Sequence, residues 1–144
     1  MGNGDLSSGG AIPALEMLLR FAGQRQRFIA GNIANISTPN YQPRDVSVQD
    51  FQKALSNAID ARRTKGSVGP LEWQETRELK RNLRGDLRLV PTEPSRNILF
   101  HDRNNRDLER MLQAQTENAF AYRVAVDLLR GRMEQLRAAI AERV

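Results

Sequence analysis

The sequence contains no cysteine, and it has one histidine and one tryptophan among 144 residues. The lack of cysteine excludes disulfide bonds, thiol nucleophiles and thiolate zinc sites. No apolar run approaches the roughly 20 residues of a membrane-spanning helix, so direct membrane insertion is not expected. Residues 1–10 are polar and rich in Gly and Ser, and a cleaved signal peptide is therefore not predicted.

Patterns that carry catalysis or bind cofactors are also missing. His101 precedes Asp102, but no second ligand or nucleophile accompanies this pair. No phosphate-binding glycine loop and no HExxH zinc motif occurs. Most carboxylates alternate with arginine, which is typical of ion pairs on exposed helix faces. We therefore expect a protein that is not an enzyme and has no catalytic residues, metal site or cofactor.

The composition favours extended helices over a large globular core. Hydrophobic residues make up 40% of the chain and aromatic residues 6%, which leaves little material for a core, although the length suits one domain.

The net charge is +5, and its excess lies in residues 61–106, with eleven basic against six acidic residues. Two interpretations remain open for this region. It is either a solvated surface with alternating charges or, as the alternative function, the binding region of a small Arg-rich helical nucleic-acid-binding protein. Trp73 is the only aromatic residue between Phe51 and Phe100, so this region lacks the aromatic side chains on which successive bases could stack.

Both ends of the chain carry apolar residues at helical spacing. After Pro13, which suits a first helical turn, the N-terminal positions advance in steps of four and three. They include Leu15, Leu19, Ala22, Ile29, Ile33 and Ile36. The pattern predicts a helix that ends near Asn35, because Thr38 precedes proline and is disfavoured in the helical region. A shorter helix is expected from an Asp50 N-cap to about residue 60.

The C-terminal helix has the longest pattern, beginning after Asp107 as the predicted cap. Its seam consists of Leu108, Leu112, Gln115, Ala119, Tyr122, Val126, Leu129, Met133, Leu136 and Ile140. A helix with such a seam requires a partner helix. The predicted fold class is all-α, with long end helices pairing as a coiled coil around an irregular middle that contains one candidate strand at 87–90. The expected parts are a flexible tail at 1–13, helices and a turn at 14–60, a variable basic middle at 61–105 and a helix at 106–144.

The passage between the first two helices holds the most unusual local pattern. Asn32 and Asn35 lie three residues apart, so both amides project from one side of the last helical turn. They could satisfy carbonyls at the helix end or the backbone of a neighbouring chain. Pro39 and Asn40 fit the centre of a tight turn, because proline presets φ and asparagine tolerates the left-handed region.

These residues carry a resemblance to a known family. The run RQRFIAGNIANISTPNY at 25–41, followed by PRDV at 43–46, resembles the N-terminal signature of flagellar axial proteins. Asn104-Asn105, Glu117-Asn118-Ala119, Tyr122 and LRAAI at 136–140 resemble their C-terminal pattern. The matches cover roughly residues 15–60 and 100–144. Asn40 stands where the family commonly has glycine, and Arg106 where it has an apolar residue.

The resemblance implies a structural subunit that polymerises into the proximal rod of the flagellar basal body and transmits torque from the motor ring to the hook and filament. Its partners would be copies of itself, other rod proteins, the MS ring and its adaptor, and the type III export apparatus, with no nucleic acid. It would lie in the periplasmic rod, exported without a cleaved signal peptide. The implied assembly motif is Asn32, Ile33, Asn35, Thr38, Pro39 and Tyr41. The helical periodicity separately predicts a helix-seam interface of Leu15, Leu19, Ile29, Leu108, Leu112, Tyr122, Val126, Leu129, Met133, Leu136 and Ile140.

We expect Leu129→Asp and Leu136→Asp each to abolish assembly, because a carboxylate in the seam would be buried without a partner. Electron microscopy of basal bodies and a soft-agar motility assay measure the effect. Normal rods and normal swimming in both variants would contradict the assignment of these leucines to the seam.

Overall fold

The computed structural model describes residues 10–66, 69–92 and 105–143. Its elements are α1 Ile12–Ala34, α2 Val48–Lys65, β1 Leu79–Arg81, β2 Leu87–Leu89 and α3 Asn105–Glu142. The structure confirms a mostly helical chain in which the N- and C-terminal helices contact each other. Residues 1–9 of the predicted tail and the His101-Asp102 pair lie outside the described residues.

The helix ends follow local capping chemistry and differ from the predicted ends at three points. α1 begins at Ile12, so the predicted tail ends earlier than residue 13, and Pro13 lies in the first turn as expected. The N-cap of α2 is Ser47 and not Asp50: the Ser47 hydroxyl accepts the Asp50 N–H at 3.1 Å. Asp50 lies in the first turn, where its carboxylate interacts favourably with the helix dipole. α2 then continues beyond residue 60 until Gly66, at φ 60°, ends it.

α3 is much longer than α1, the helix that it contacts. It has 38 residues against 23 in α1, which corresponds to about 57 Å against about 35 Å. α3 starts at Asn105, so Asp107 lies inside the helix and is not its cap. Every residue from 137 to 143 is exposed. The excess length therefore includes a C-terminal end that no described part of the chain covers.

The irregular middle of the chain includes a small antiparallel hairpin. β2 confirms the candidate strand, while β1 was not predicted; the two pair antiparallel with Leu79 opposite Leu89 and Arg81 opposite Leu87. Asn82 organises the turn between them, since its Oδ1 accepts the N–H groups of Arg84 and Asp86, both at 2.9 Å. The basic middle therefore contains an ordered hairpin.

One hydrophobic core joins the hairpin to the first two helices. Its buried members are Met17, Phe21, Val46, Phe51, Ala58, Trp73, Leu79, Leu87 and Leu89. At its centre the rings of Phe21 and Phe51 stack, with centroids 3.8 Å apart and planes 9° from parallel. A two-stranded hairpin is marginal alone in water, so this hairpin is stable because its leucines are buried against helices.

Phe51→Ala should lower the free energy of unfolding by about 3–5 kcal/mol, because the ring is fully buried and stacked. Phe120→Ala is the matched control, since that ring is largely exposed and its loss should change stability by about 0.5 kcal/mol or less. Urea denaturation followed by circular dichroism measures both. Equal effects of the two substitutions would refute this assignment of the core.

Candidate assembly surface

The Asn32 side chain holds the segment after α1 against the helix. It is 6% exposed, and its Nδ2 donates to the Arg44 carbonyl at 2.8 Å. Its Oδ1 accepts the Arg44 N–H at 2.9 Å and the Tyr41 hydroxyl at 3.0 Å. The amide thus pairs with both backbone polar groups of Arg44, as a strand neighbour would, and fixes where the returning chain lies.

Asn35 has a different role, so the two amides do not act together. Asn35 is the C-cap of α1, and its Nδ2 donates to the Gly31 carbonyl at 2.8 Å within the same helix. Its Oδ1 accepts the Thr38 hydroxyl at 3.2 Å. The bond partners of both asparagines belong to this chain. In these contacts the pair therefore completes a helix end and a loop of its own chain.

The predicted turn after α1 is present. The Tyr41 N–H donates to the Thr38 carbonyl at 3.3 Å, which places Pro39 and Asn40 at the centre of the turn. Asn40 has φ 58°, the left-handed conformation that asparagine tolerates. Thr38 and Pro39 are exposed, whereas Ile33 and Tyr41 are half-buried. The exposed part of the implied assembly motif is therefore the tip of this turn.

A charged pair and a carboxylate secure the returning segment further. Arg25 binds Asp45 through two hydrogen bonds of 2.9 Å, a bidentate geometry that fixes orientation. Glu78 accepts the Ser47 N–H at 2.7 Å and also binds the Thr92 hydroxyl. These contacts connect α1, the start of α2 and the end of the hairpin.

Gln24 is a structural residue that the sequence analysis did not identify. Its Nε2 donates to the Leu87 carbonyl at 2.8 Å, and its Oε1 accepts the Leu89 N–H at 2.9 Å. The side chain therefore takes the place of a third strand along the free edge of β2. In the sequence, the only indication of this role is that Gln24 is a polar residue three positions after the buried Phe21, on the same helix face.

Asn118 sets the alignment of α3 on α1. It is buried, and its Nδ2 donates to the Ala22 carbonyl at 2.8 Å and to Gln26 Oε1 at 2.9 Å. Close to this point Tyr122 Cε2 lies 3.9 Å from where a Cβ on Gly23 would stand. A buried asparagine between paired helices fixes their register, because sliding would leave its amide unsatisfied.

In the contact between α1 and α3, few of the predicted seam residues are buried, and most are half-buried or exposed. Asn118 and Ala125 are the described α3 residues that are fully buried, and neither belongs to the predicted seam. Ile29 of α1 is buried, whereas Leu15 and Leu19 are half-buried. Half-buried positions of the α3 seam are Leu108, Gln115, Val126, Leu129 and Leu136, and exposed ones are Leu112, Ala119, Tyr122, Met133 and Ile140.

The narrow contact between α1 and α3 has a physical cause. The smallest side chains on the α1-facing line, such as Ala125, allow the two helix backbones to approach closely. Larger apolar residues then stay at the borders of the contact. On α3 those that remain exposed are Leu112, Phe120, Tyr122, Val124, Leu128, Met133 and Ile140. The helix pair therefore leaves an extended apolar surface on α3 without a cover from the described residues.

The rest of the described surface gives little support for other chemistry. A groove of about 930 Å³ between α2 and residues 72–81 carries both signs of charge, including Lys65 with Glu72 at 3.4 Å. Trp73 is 8% exposed and lies under the Arg81 guanidinium, 4.4 Å from the ring centroid, so its face is not open for stacking with a base. Within the described ranges no cluster of three His, Cys, Asp or Glu residues could hold a metal ion, and no helix is long and apolar enough to cross a membrane.

Paired end helices with an uncovered apolar surface are typical of subunits that pack against further chains. The chain is 28% identical to the flagellar basal body rod protein FlgB of Yersinia ruckeri over 138 residues, covering 92% of this chain and 95% of that protein. It is 29% identical to FlgB of Escherichia coli strain K12 over 121 residues, with 81% and 82% covered. It is 25% identical to FlgB of Bacillus subtilis strain 168 over 131 residues, with 91% and 93% covered. No family model matches the chain.

Asn32→Ala should lower the free energy of unfolding by about 2–3 kcal/mol, because it removes the three hydrogen bonds of a buried amide. Asn35→Ala should cost about 1 kcal/mol, since it removes one bond to a helix carbonyl and one exposed bond from the Thr38 hydroxyl. Chemical denaturation of the purified variants measures both costs. An Asn35 effect as large as that of Asn32 would contradict their separate roles.

Proposed function

We propose that this protein is a structural subunit of the bacterial flagellar basal body that polymerises into the proximal rod. The observation that carries the proposal is its similarity, over 81–92% of the chain, to FlgB proteins of three bacteria. The aligned length spans most of the chain, so the similarity is not confined to one short motif.

The uncovered surface of α3 supports assembly on physical grounds. Seven large apolar side chains on this helix are exposed in the described structure. Burial of apolar area stabilises association by about 25 cal/mol per Å², so neighbours that cover this surface would gain substantial free energy. In the proposed rod, coiled-coil-like pairs of end helices pack side by side, and repeated contacts between unlike surfaces extend the assembly.

Torque transmission requires that the paired helices do not slide on each other. Asn118 meets this requirement, because an axial shift of α3 along α1 would break its bonds to Ala22 and Gln26. The Arg25–Asp45 pair and the hydrogen bonds of Asn32 hold the segment after the turn against α1. The proposed rod subunit is thus a braced helix pair that resists shear.

The proposed partners follow from the rod assignment: copies of this chain, other rod proteins, the MS ring with its adaptor, and the type III export apparatus. Within the assembly motif, Asn32 and Tyr41 would act indirectly by shaping the loop. Thr38 and Pro39, at the exposed tip of the turn, would contact a neighbour directly, together with the exposed Ile36.

Deletion of the gene from its bacterium tests the function. We expect cells without hooks and without swimming, with full recovery on expression of the intact chain and detection of the chain in purified basal bodies by immunoblot. Asn40→Gly is a matched control that should also restore swimming, because glycine readily adopts the φ of 58° found there. Normal motility of the deletion strain would refute the proposed function.

A further inference from the structure

The tip of the β1–β2 hairpin presents an apolar side chain to solvent. Leu83 is fully exposed in the turn that Asn82 organises. Gly85 adopts φ 84° in the same turn, and its N–H donates to the Asn82 carbonyl at 2.9 Å. The leucine is therefore held outward on a turn with its own internal hydrogen bonds.

The hairpin around Leu83 has an excess of positive charge. The carboxylates of this region are engaged within the chain: Asp86 pairs with Arg20 at 2.7 Å, and Glu78 binds Ser47 and Thr92. The exposed side chains of Arg84 and Arg88 make no ion pair with the described residues. The tip thus combines one apolar side chain with two available guanidinium groups.

A complementary strip lies on α3. Phe120, Val124 and Leu128 are spaced by four residues, so they share a helix face, and they are 67%, 38% and 52% exposed. Glu117, three residues before Phe120, and Asp127, three after Val124, lie along this strip and are exposed. Over about 12 Å the strip offers apolar surface, and it has a carboxylate towards each end.

A second exposed apolar border of α3 has the opposite charge. Met133 lies there, with the exposed Arg130 three residues before it and the exposed Arg137 four residues after it. Arg123 lies closer to the strip, three residues after Phe120. A basic hairpin tip would be repelled at the Met133 border and attracted to the strip, where the two carboxylates outnumber the one arginine.

We propose that the hairpin tip of one copy docks on the Phe120–Val124–Leu128 strip of a second copy, with Leu83 against the apolar side chains and Arg84 and Arg88 near Glu117 and Asp127. This inference rests on the proposed function and specifies one contact between rod subunits. Each chain carries both halves of the contact, and the halves differ. The contact is therefore heterologous, so each copy can bind one neighbour through its tip and another through its strip.

Cysteine crosslinking tests the contact, and the cysteine-free sequence makes the chemistry specific. Cells that co-express Leu83→Cys and Leu128→Cys chains should give a covalent dimer in isolated basal bodies treated with a short bismaleimide. Leu83→Cys with Met133→Cys is the matched control, because Met133 lies on the arginine border, and it should give little dimer. Basal bodies that contain both chains of the first pair but show no dimer, or equal dimer from both pairs, would overturn the proposal.

Charge reversal gives a second readout on purified full-length protein. Arg84→Glu with Arg88→Glu should weaken the 83–128 crosslink at high protein concentration about tenfold or more, since like charges would face each other. Glu117→Arg with Asp127→Arg in the Leu128→Cys partner should restore it. If neither charge reversal changes the yield of the 83–128 crosslink, the charges are not complementary in this contact and the proposed orientation is wrong.

Different results would refute the proposed rod function and the proposed contact between the hairpin tip and the strip. If the chain is absent from basal bodies and its deletion leaves swimming intact, the rod function fails, while crosslinking of the purified protein still decides the contact. If the chain is in basal bodies and the 83–128 pair does not crosslink there, the contact fails and the rod function stands.

Discussion

The pairing of the Asn32 amide with the backbone of Arg44 is the contact on which the rest of the described structure depends. It returns the chain along α1 after the turn at Pro39 and Asn40. In that position Asp45 reaches Arg25, and α2 starts where Phe51 stacks on Phe21. An apolar residue in place of Asn32 could neither donate to the Arg44 carbonyl nor accept its N–H.

α1 is consequently shared between two packing partners. Met17 and Phe21 belong to the core with α2 and the hairpin, and Gln24 pairs with the edge of β2. Ala22 and Gln26 contact α3 through Asn118. Because α1 packs against both partners, its large apolar side chains are buried or half-buried, and α3 is the helix with exposed apolar surface to offer neighbours. This division of roles connects the fold to the proposed assembly.

Local chemistry explains which features could be predicted. The end of α1 near Asn35, the Pro39–Asn40 turn and a strand near 87–90 each depend on a few adjacent residues, so the sequence indicated them. Ser47 and Asp50 are both good N-caps three residues apart, and only the returning segment decides between them. β1 was not predicted because Leu79-Lys80-Arg81 has one apolar residue and no alternation, and this strand is stabilised by the burial of Leu79 in the core.

The sequence by itself determined where the end helices run and that each carries an apolar stripe, because a period of 3.6 residues is a local property. It also determined the turn between the first two helices. Only the tertiary structure decided which line of α3 is buried. The apolar residues of α3 cover more than one face, and the line with Asn118 and Ala125 is chosen because small side chains allow close approach and the amide finds its partners there. The larger residues beside it are left for other chains.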